Sequence, residues 1–513
     1  MNHKRCLVKL NFVGGGASWQ FIVLGCLCVW FLSCNKIITD FISVYKDILV
    51  ICMCLLYFVS AFYLFVLQKQ KDSNQIIGYI LLGSFLLKSF YVLCAPFDIT
   101  NHDVGNFIGL DTAESGWGHF GYIDYLYKNH QLPDAEHIGV WEFYQPPGFH
   151  ILGAIILGIT RLFNVVEPLC YESLQIITLC CSCLTIWTVY QILKEFDINC
   201  KWLSCLIVVL ALHPFFSIMS VTLNNDCMTM YLMTLIIWNA IRWYKNQTFA
   251  KMFYLALSFG IGMFTKFSVA IMAVGVGGMF AYVLWLRRSE LKEVISQFIL
   301  FLTVCVPISL FWPIRNMIRF DLPFIYMQLI NDVNSPQYID SQTIFLPPLG
   351  QLSHAFTVWN PELENNIWLS LIRSSLFDEW WASGFIASSA LVLLWISIIL
   401  AIVMNILFIW TIFERKTINK GLKVLLFISY IALMFSYINL NLSYPLICHM
   451  NYRLVPIMMF FPFIGTACWL QKYSENYITM KNSIIGTFIN IILCIFMAFS
   501  VLALIFNIYI ISV

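Results

Sequence analysis

The chain has 513 residues, of which 60% are hydrophobic and 11% are charged. A soluble globular domain has about 45–50% apolar and about 25% charged residues, so the composition excludes a water-soluble enzyme. The formal net charge of +2 says little, because in a membrane protein the distribution of charge matters more than its sum.

Apolar stretches of roughly 20 residues, the length that crosses a bilayer, recur along the chain. They predict an all-α polytopic membrane protein with about thirteen transmembrane helices, at 19–35, 48–67, 76–95, 173–193, 202–222, 227–241, 252–265, 268–286, 294–312, 385–413, 421–438, 454–470 and 483–511. The stretches 227–241 and 252–265 are shorter than a bilayer, which predicts a recess. Most of the 18 cysteines lie within apolar runs, where a thiol packs as a small hydrophobe.

The apolar segment from Phe149 to Val166 decides the orientation of everything after it. If this segment lies in the membrane plane, 19 of the 29 basic residues fall on the cytoplasmic side, as the positive-inside rule requires. We therefore expect a multi-pass membrane protein with a cytoplasmic N-terminus and an active site on the outer face. In a bacterium this membrane is the cell membrane, and in a eukaryote it is that of the endoplasmic reticulum.

Two long loops on the predicted outer face carry most of the ionisable residues, and loops on a rigid bundle are where function usually lies. The expected division is an N-terminal three-helix membrane segment (1–95), an outer catalytic loop with juxtamembrane helices (96–172), a central transmembrane module (173–312), a second outer loop (313–384) and C-terminal transmembrane helices (385–513).

The first loop opens with a cluster of ionisable residues directly after the third predicted span. Asp103 is held close to the bilayer, where a carboxylate can act as a general base toward an acceptor hydroxyl or amine. His102, Glu114 and His119 are candidate substrate-binding residues beside it. His102, Asp103 and His119 are also suitable ligands for a divalent metal, although their spacing matches no metal motif. The alternative for Asp103 is a solvated loop carboxylate.

The segment from Trp141 to His150 enters the in-plane helix through the pair Pro146-Pro147, which stiffens the backbone. Tyr144 and His150 are candidate substrate-binding residues. A membrane-surface anchor is the alternative, and it accounts for the aromatic residues but not for His150.

Cations stand at the outer ends of predicted spans, against the inside preference of Lys and Arg. They are Lys266, Arg315 and Arg453. A lipid-linked phosphate at the headgroup level would supply the anion that they require, since Arg binds phosphate through a bidentate fork and Lys as a point charge. Ordinary headgroup contact, or pairing with Asp226, Asp378 or Glu379, is the alternative.

The run Asn224-Asn225-Asp226 lies at the outer end of the fifth predicted span, where its side chains either cap the next helix or bind a polyol substrate. Asn225 and Asp226 are the candidate substrate-binding residues. Glu379 stands beside Trp380 and Trp381, and carboxylates next to an aromatic face are a common way to hold a sugar.

In this order, the motifs resemble those of the polytopic GT-C glycosyltransferases, the superfamily of aminoarabinose transferases and protein O-mannosyltransferases, and most of all its bacterial family-39-like members. The matching elements are Asp103, the run from Tyr144 to Pro147, Asn225-Asp226, Thr265-Lys266 and Arg315. The pattern departs at Gln145, because such proteins usually carry His before the two prolines.

The resemblance implies a GT-C-like fold and transfer of a hexosyl or pentosyl group from a polyprenyl-phosphate donor to a glycan, lipid or protein acceptor, with inversion at the anomeric carbon. Asp103 would take the acceptor proton. Lys266, Arg315 and Arg453 would stabilise the charge on the departing phosphate. No cofactor beyond the lipid-linked donor is implied, a divalent metal stays open, and nucleic acid is not a partner.

Two other functional classes fit a chain with this many spans. A secondary transporter would place its charges at the bilayer midplane. A polysaccharide polymerase or ligase would use loop Arg and His residues rather than an early Asp. A non-catalytic scaffold leaves the outward cations unexplained.

Overall fold

The computed structural model describes residues 18–67, 73–96, 118–134, 136–327, 334–346, 349–356, 360, 363–415, 417–474 and 484–512. Within these ranges the regular structure is helical apart from two isolated β-bridges. The helices are α1 Ser18–Ser33, α2 Lys36–Leu67, α3 Ser73–Cys94, α4 Gly118–Asn129, α5 Gly148–Leu162, α6 Leu169–Glu172, α7 Gln175–Glu195, α8 Cys200–Leu212, α9 Pro214–Val221, α10 Asp226–Lys245, α11 Phe249–Thr265, α12 Met272–Leu286, α13 Leu291–Phe320, α14 Leu349–Ser353, α15 Ile367–Phe377, α16 Gly384–Phe413, α17 Lys420–Ser443, α18 Phe460–Ser474 and α19 Ile484–Ser512.

The expectation of an all-α polytopic membrane protein is confirmed. Seven helices among the described residues are long and apolar enough to cross a membrane, or nine if each of two bent pairs counts as one span. The bent pairs are α1 with the first part of α2 (87°) and α8 with α9 (46°). The predicted stretches 227–241 and 252–265 fall in α10 and α11, and most of 454–470 falls in α18. These three helices are too short or not apolar enough to be counted among the seven. The count of thirteen therefore stays a prediction.

Helix α7 lies at the centre of the bundle. In the segment Leu169–Glu195, which includes α7, 89% of the most apolar stretch is buried inside the protein. Helix α7 packs against α10, which packs in turn against α11, and α11 packs against α13. Helix α12 packs against α17, and α16 against α18 and α19. Two buried hydroxyls of α7 bond to the backbone of α9: that of Ser182 donates to the Phe216 carbonyl at 2.6 Å, and that of Thr178 to the Ser220 carbonyl at 3.0 Å.

The α8–α9 break occurs because Pro214 has no N–H to continue the helix. A carbonyl left without its helical donor must find another partner in a membrane protein. Lys88 and Ser84 of α3 both donate to the Ala211 carbonyl, at 3.1 and 3.0 Å. Asn507 of α19 donates to the Leu212 carbonyl at 2.8 Å. Two helices, α3 and α19, thus stabilise one broken span.

The bundle has two chemically different ends. At one end, Gln175 at the start of α7 donates to the carbonyls of Ala95 and Val221, which follow or end α3 and α9. Asp226 lies at this end, which we call the site end. At the opposite end, which we call the basic end, cations pair across the helix ends, as in Lys245–Glu195 and Lys472–Glu414. The helix ends named here therefore lie in the two groups into which the charge pattern divided them.

Helix α5 is too short to span, because its 15 residues cover about 22 Å against about 30 Å of hydrocarbon. One face is buried against the protein, and the other carries exposed apolar side chains. The exposed side chains are Leu152, Ile155, Ile159 and Leu162. Their helical spacing is that of an amphipathic helix at an interface. These are the features expected of a helix in the membrane plane, and its in-plane position stays a prediction.

Candidate active site

Three of the predicted site residues, Asp103, His102 and Glu114, lie outside the described residues. The other predicted site residues are all described. They are His119, Tyr144, His150, Asn225, Asp226, Lys266, Arg315, Glu379 and Arg453. Most of them meet at the site end.

The centre of the site is a carboxylate that faces two cations. The Lys266 ammonium pairs with Oδ1 of Asp226, and the Arg453 guanidinium lies 3.8 Å from its Oδ2. The side chains of Asp226, Arg453 and Lys266 are 5%, 15% and 18% exposed, so the three charges interact with little screening by water. The pairing with Asp226 that the sequence left open is therefore present, and it joins two of the predicted phosphate ligands.

Each member of this centre is held by the end of a structural element. Asp226 lies in the first turn of α10, where the helix dipole favours a negative charge. Lys266 follows the last residue of α11 with extended backbone, and its N–H bonds to the Gly262 carbonyl at 2.9 Å. Arg453 lies in a short turn whose Tyr452 N–H donates to the Ser374 hydroxyl of α15 at 2.8 Å.

Asn225 connects this centre to the start of α5. Its side-chain amide donates to Gln145 Oε1 at 2.9 Å and to the Thr265 carbonyl at 3.4 Å. Of the three residues predicted to cap α10, Asn224 bonds to its first turn, where its Oδ1 accepts from the Asp226 N–H at 3.1 Å. Asn225 therefore ties together the starts of α5 and α10 and the end of α11.

A buried polar chain continues from Gln145. Its amide donates to Glu142 Oε2 at 2.7 Å, and this carboxylate lies 3.6 Å from His119 Nε2. His119 Nδ1 lies 3.0 Å from His150 Nε2, and the two rings stack. Burial, together with the neighbouring His119, holds the pKa of His150 well below its ordinary value, so the imidazole is neutral near pH 7. The chain links two predicted histidines to the ionic centre.

Glu142 is a site residue that the sequence did not single out. It is 5% exposed and has a positive φ of 72°, which costs energy for a residue other than glycine. Such strained backbone clusters at functional sites. The available signal was a carboxylate four residues before Pro146 and three before Gln145, a spacing that places it beside Gln145 in a tight turn.

Tyr144 and Arg315 lie next to the chain. The Tyr144 carbonyl accepts from Trp312 Nε1 at 3.0 Å, and burial, with help from Glu142, raises the pKa of the phenol. Arg315 stands one turn beyond Trp312 on α13. Its guanidinium donates to the Pro133 carbonyl at 2.6 Å and lies 5.0 Å from the centre of the Trp312 ring. Arg315 therefore contacts the loop before α5, whereas Lys266 and Arg453 contact Asp226.

Glu379 lies on the far side of the turn that carries Arg453. It lines a cavity of about 300 Å³ together with Asp378 and Asn451. The Asn451 side-chain amide donates to Asp378 Oδ1 at 2.8 Å. The segment from Asn451 to Arg453 thus contacts the cavity at one end and the ionic centre at the other.

Within the described ranges, no three His, Cys, Asp or Glu side chains are grouped so that they could hold a metal ion. The metal site considered from the sequence includes His102 and Asp103, which lie outside those ranges.

The family model described as dolichyl-phosphate-mannose-protein mannosyltransferase matches residues 146–312. This match confirms, for that part of the chain, the family resemblance indicated by the motifs. The matched segment includes α5, Asn225, Asp226 and Lys266.

Two similar solved structures are crystal structures of ArnT from Cupriavidus metallidurans. The apo structure has 13% sequence identity, with 78% of this chain and 79% of that chain covered and a TM-score of 0.34. The structure bound to undecaprenyl phosphate has 12% identity, with 79% and 78% covered and a TM-score of 0.35. No curated protein matches the chain.

Proposed function

We propose that the chain is a membrane glycosyltransferase that moves a sugar from a polyprenyl-phosphate donor to an acceptor on the non-cytoplasmic face. The observation that carries the proposal is the convergence of Lys266 and Arg453 on Asp226, beside the start of α10 and the end of α11. The matched family model is named for a donor in which mannose is attached to a dolichyl phosphate, which is a polyprenyl phosphate.

In this proposal the two cations bind the phosphate of the donor. Lys266 and Arg453 would share their charge between Asp226 and the phosphate oxygens, and the half-buried setting strengthens both interactions. As the bond between the anomeric carbon and the phosphate oxygen breaks, its electron pair passes to the phosphate. Preorganised cations that stabilise such a developing charge are often the largest contribution to catalysis.

Asp103 is the proposed general base. It would remove the proton of an acceptor hydroxyl or amine as the acceptor attacks the anomeric carbon from the face opposite the phosphate, so that the configuration inverts. Proton transfer of this kind contributes typically 10²–10⁴-fold to the rate. Arg315, held by Pro133 and Trp312, would shape the entrance between α13 and the loop before α5.

The transporter alternative has one buried cation in its favour. Lys88 is fully buried within the candidate span Gln75–Cys94. Its ammonium donates to Ser84 and to the Ala211 carbonyl at the α8–α9 break, so the broken span accounts for it.

Mass spectrometry of glycolipids and glycans from cells with and without the protein tests the proposal. We expect one glycan product to be absent from cells that lack the protein, and to return with the wild-type chain but not with Asp103→Asn. Asp111→Asn, the same change in the same loop, should restore the product. Identical glycans in cells with and without the protein would refute the function, and an active Asp103→Asn variant would refute the base.

A further inference from the structure

The cavity behind the Arg453 turn has walls that are unusually polar for a protein of this composition. It lies between α15 and the segment from Ile447 to Asn451. Its lining residues are Glu364, Ser370, Arg373, Ser374, Asp378, Glu379, Trp381, Ile447, Cys448, Met450 and Asn451. Its volume of about 300 Å³ is at the lower end of the range of small-molecule sites, which suits a single ring rather than an oligosaccharide.

A buried ion pair forms one wall. The Arg373 guanidinium pairs with Glu364 through Nη2, and the two side chains are 7% and 2% exposed. The Nε of Arg373 has no hydrogen-bond acceptor among the described residues. A buried guanidinium N–H without an acceptor is costly, so a ligand or water in the cavity would complete its hydrogen bonds.

The charges of the walls restrict the class of ligand. Three carboxylates, those of Glu364, Asp378 and Glu379, face one guanidinium, that of Arg373. This excess of negative charge repels phosphates and acidic sugars. It favours a group that offers hydroxyl or ammonium donors to the carboxylates. Trp381 adds an aromatic surface against which a ring can lie.

The cavity is next to the proposed phosphate site. Asn451 lines the cavity, and Arg453, two residues further, reaches Asp226. The backbone between these two residues spans at most about 7 Å, so a ring in the cavity and a phosphate on Arg453 would both contact the same short turn. Asn451 is fixed in this position by its bond to Asp378 and by the Arg453 N–H, which donates to its Oδ1 at 3.0 Å.

We propose that this cavity binds the ring of a neutral or amino sugar, and that it does not bind an acidic one. The inference rests on the proposed function in one respect, that the sugar belongs to the donor or the acceptor of the transfer reaction. Carboxylates and the Arg373 Nε–H would bind the ring hydroxyls.

Equilibrium binding to the purified, full-length protein tests the inference without requiring turnover. The probes are radiolabelled glucose, mannose, glucosamine and glucuronate, bare polyprenyl phosphate and polyprenyl-phosphate mannose. The variants are Glu379→Gln and Asp378→Asn. Both variants remove a negative charge and keep the size of the side chain. Glu290→Gln at the exposed basic end is the matched control.

We expect each cavity variant to weaken sugar binding by at least about tenfold, the effect of losing one hydrogen bond to a charged group. Weaker binding of polyprenyl-phosphate mannose, with unchanged binding of the bare lipid, assigns the cavity to the donor sugar. Weaker binding of a free hexose, with both lipids unchanged, assigns it to the acceptor. Glu290→Gln should bind every probe as the wild type does.

The inference is overturned if no sugar probe binds the wild-type protein, if the cavity variants bind sugars as well as the wild type, or if glucuronate binds as tightly as glucosamine. Its failure is distinguishable from that of the proposed function. Binding of bare lipid without any sugar effect would remove the cavity assignment alone, whereas sugar binding without binding of either lipid would remove the function and keep the cavity.

Discussion

Asp226 holds two cations in a position that water only partly reaches, and Lys266 is the closer of the two. Replacing Lys266 by Ala removes one of the two proposed phosphate ligands and leaves Asp226 with Arg453 alone. We expect weaker binding of polyprenyl phosphate and a fall in transfer rate of about 10²–10³-fold, as for other preorganised groups. Lys266→Arg keeps the charge and should retain more activity. Lipid binding and transfer by the purified variants measure both effects.

Lys128→Ala is the control for this change. Lys128 also pairs with an aspartate, Asp124, at 2.5 Å, but its side chain is 63% exposed. An exposed pair contributes little, so the variant should bind lipid and turn over like the wild type. If Lys266→Ala behaved in the same way as Lys128→Ala, the phosphate site would be wrong.

His150 gives the protein a dependence of stability on pH. Its pKa in the folded state lies well below the value of about 6.5 in the unfolded chain. As the pH falls through about 6.5, the unfolded chain therefore takes up a proton that the folded protein does not. The free energy of unfolding should decrease by up to about 1.4 kcal/mol per pH unit from this residue alone.

The thermal unfolding midpoint in detergent between pH 7.5 and 5 checks this slope. His150→Phe keeps a ring against Tyr122, whose ring centre lies 4.2 Å from that of His150, and should flatten the slope by one proton. His354→Phe at an exposed position should leave the slope as it is. An unchanged slope in His150→Phe would contradict the buried neutral imidazole.

The ionic centre shows how far single residues could be anticipated from the sequence. Lys266 and Arg453 stood out because each lies on the unfavoured side at the end of a predicted span. Their meeting at Asp226 depends on how α10, α11 and the turn after α17 pack, which no local pattern encodes. Arg315 showed the same signal, yet its contacts are with Pro133 and the Trp312 ring, because α13 continues past the predicted span to Phe320.

Helix α5 begins in backbone contact with the end of α11. A Cβ on Gly148 would lie 2.6 Å from the Phe264 carbonyl oxygen, two residues before Lys266. Gly148→Ala should therefore push α5 away from α11 and weaken the bond between Asn225 and Gln145. We expect a loss of about 1–3 kcal/mol in stability, as for other overpacked sites, and a larger loss of transfer activity. Thermal unfolding and transfer assays measure the two effects.

Gly139→Ala is the matched control, since a Cβ at Gly139 meets no atom within 4 Å. This variant should keep both stability and activity. A Gly148→Ala variant with wild-type activity would show that the contact between α5 and α11 does not position the site.

The apolar pattern located helices more reliably than it located their ends or their surroundings. The in-plane segment from Phe149 was separated from the spans by charge alone, and α5 lies close to the predicted range. The predicted span at 454–470 instead begins as irregular turns, and α18 starts only at Phe460. Val455, Ile457 and Met458 are apolar because they are buried in the protein, and hydropathy does not distinguish this burial from contact with lipid.

The separation of the site end from the basic end predicts how the whole molecule lies in the membrane. The positive-inside rule places the basic end in the cytoplasm and the site end outside. A cysteine at Gln342, which is exposed near the site end, should react with a membrane-impermeant maleimide in intact cells. A cysteine at Ser289, exposed at the basic end, should react only in inverted vesicles. The reverse pattern would place the proposed active site in the cytoplasm.

The same experiment tests the in-plane position of α5. Asn129 and Asn164 are exposed residues on either side of this helix. Cysteines at both positions should react from the same side of the membrane. Labelling from opposite sides would show that α5 crosses the bilayer, and the loops after it would then exchange sides.

The arrangement of the bundle as a whole was the least predictable feature. Hydropathy locates helices but not their neighbours, and nothing in the sequence of α7 shows that its buried hydroxyls bond to the carbonyls of α9. Likewise, Lys88 appears in the sequence as an isolated charge within an apolar run. Only the packing of α3 against the α8–α9 break explains it.

The segment from Asn451 to Arg453 connects the cavity with the proposed phosphate site, and this connection bears on the order in which two ligands bind. Asn451 bonds to a wall of the cavity and Arg453 reaches Asp226, so a single short turn is shared by both sites. A ligand that shifts this turn from one side changes the affinity of the other site, and by thermodynamic linkage the effect is equal in both directions. The two binding events are therefore expected to be cooperative, with the first ligand setting the affinity for the second.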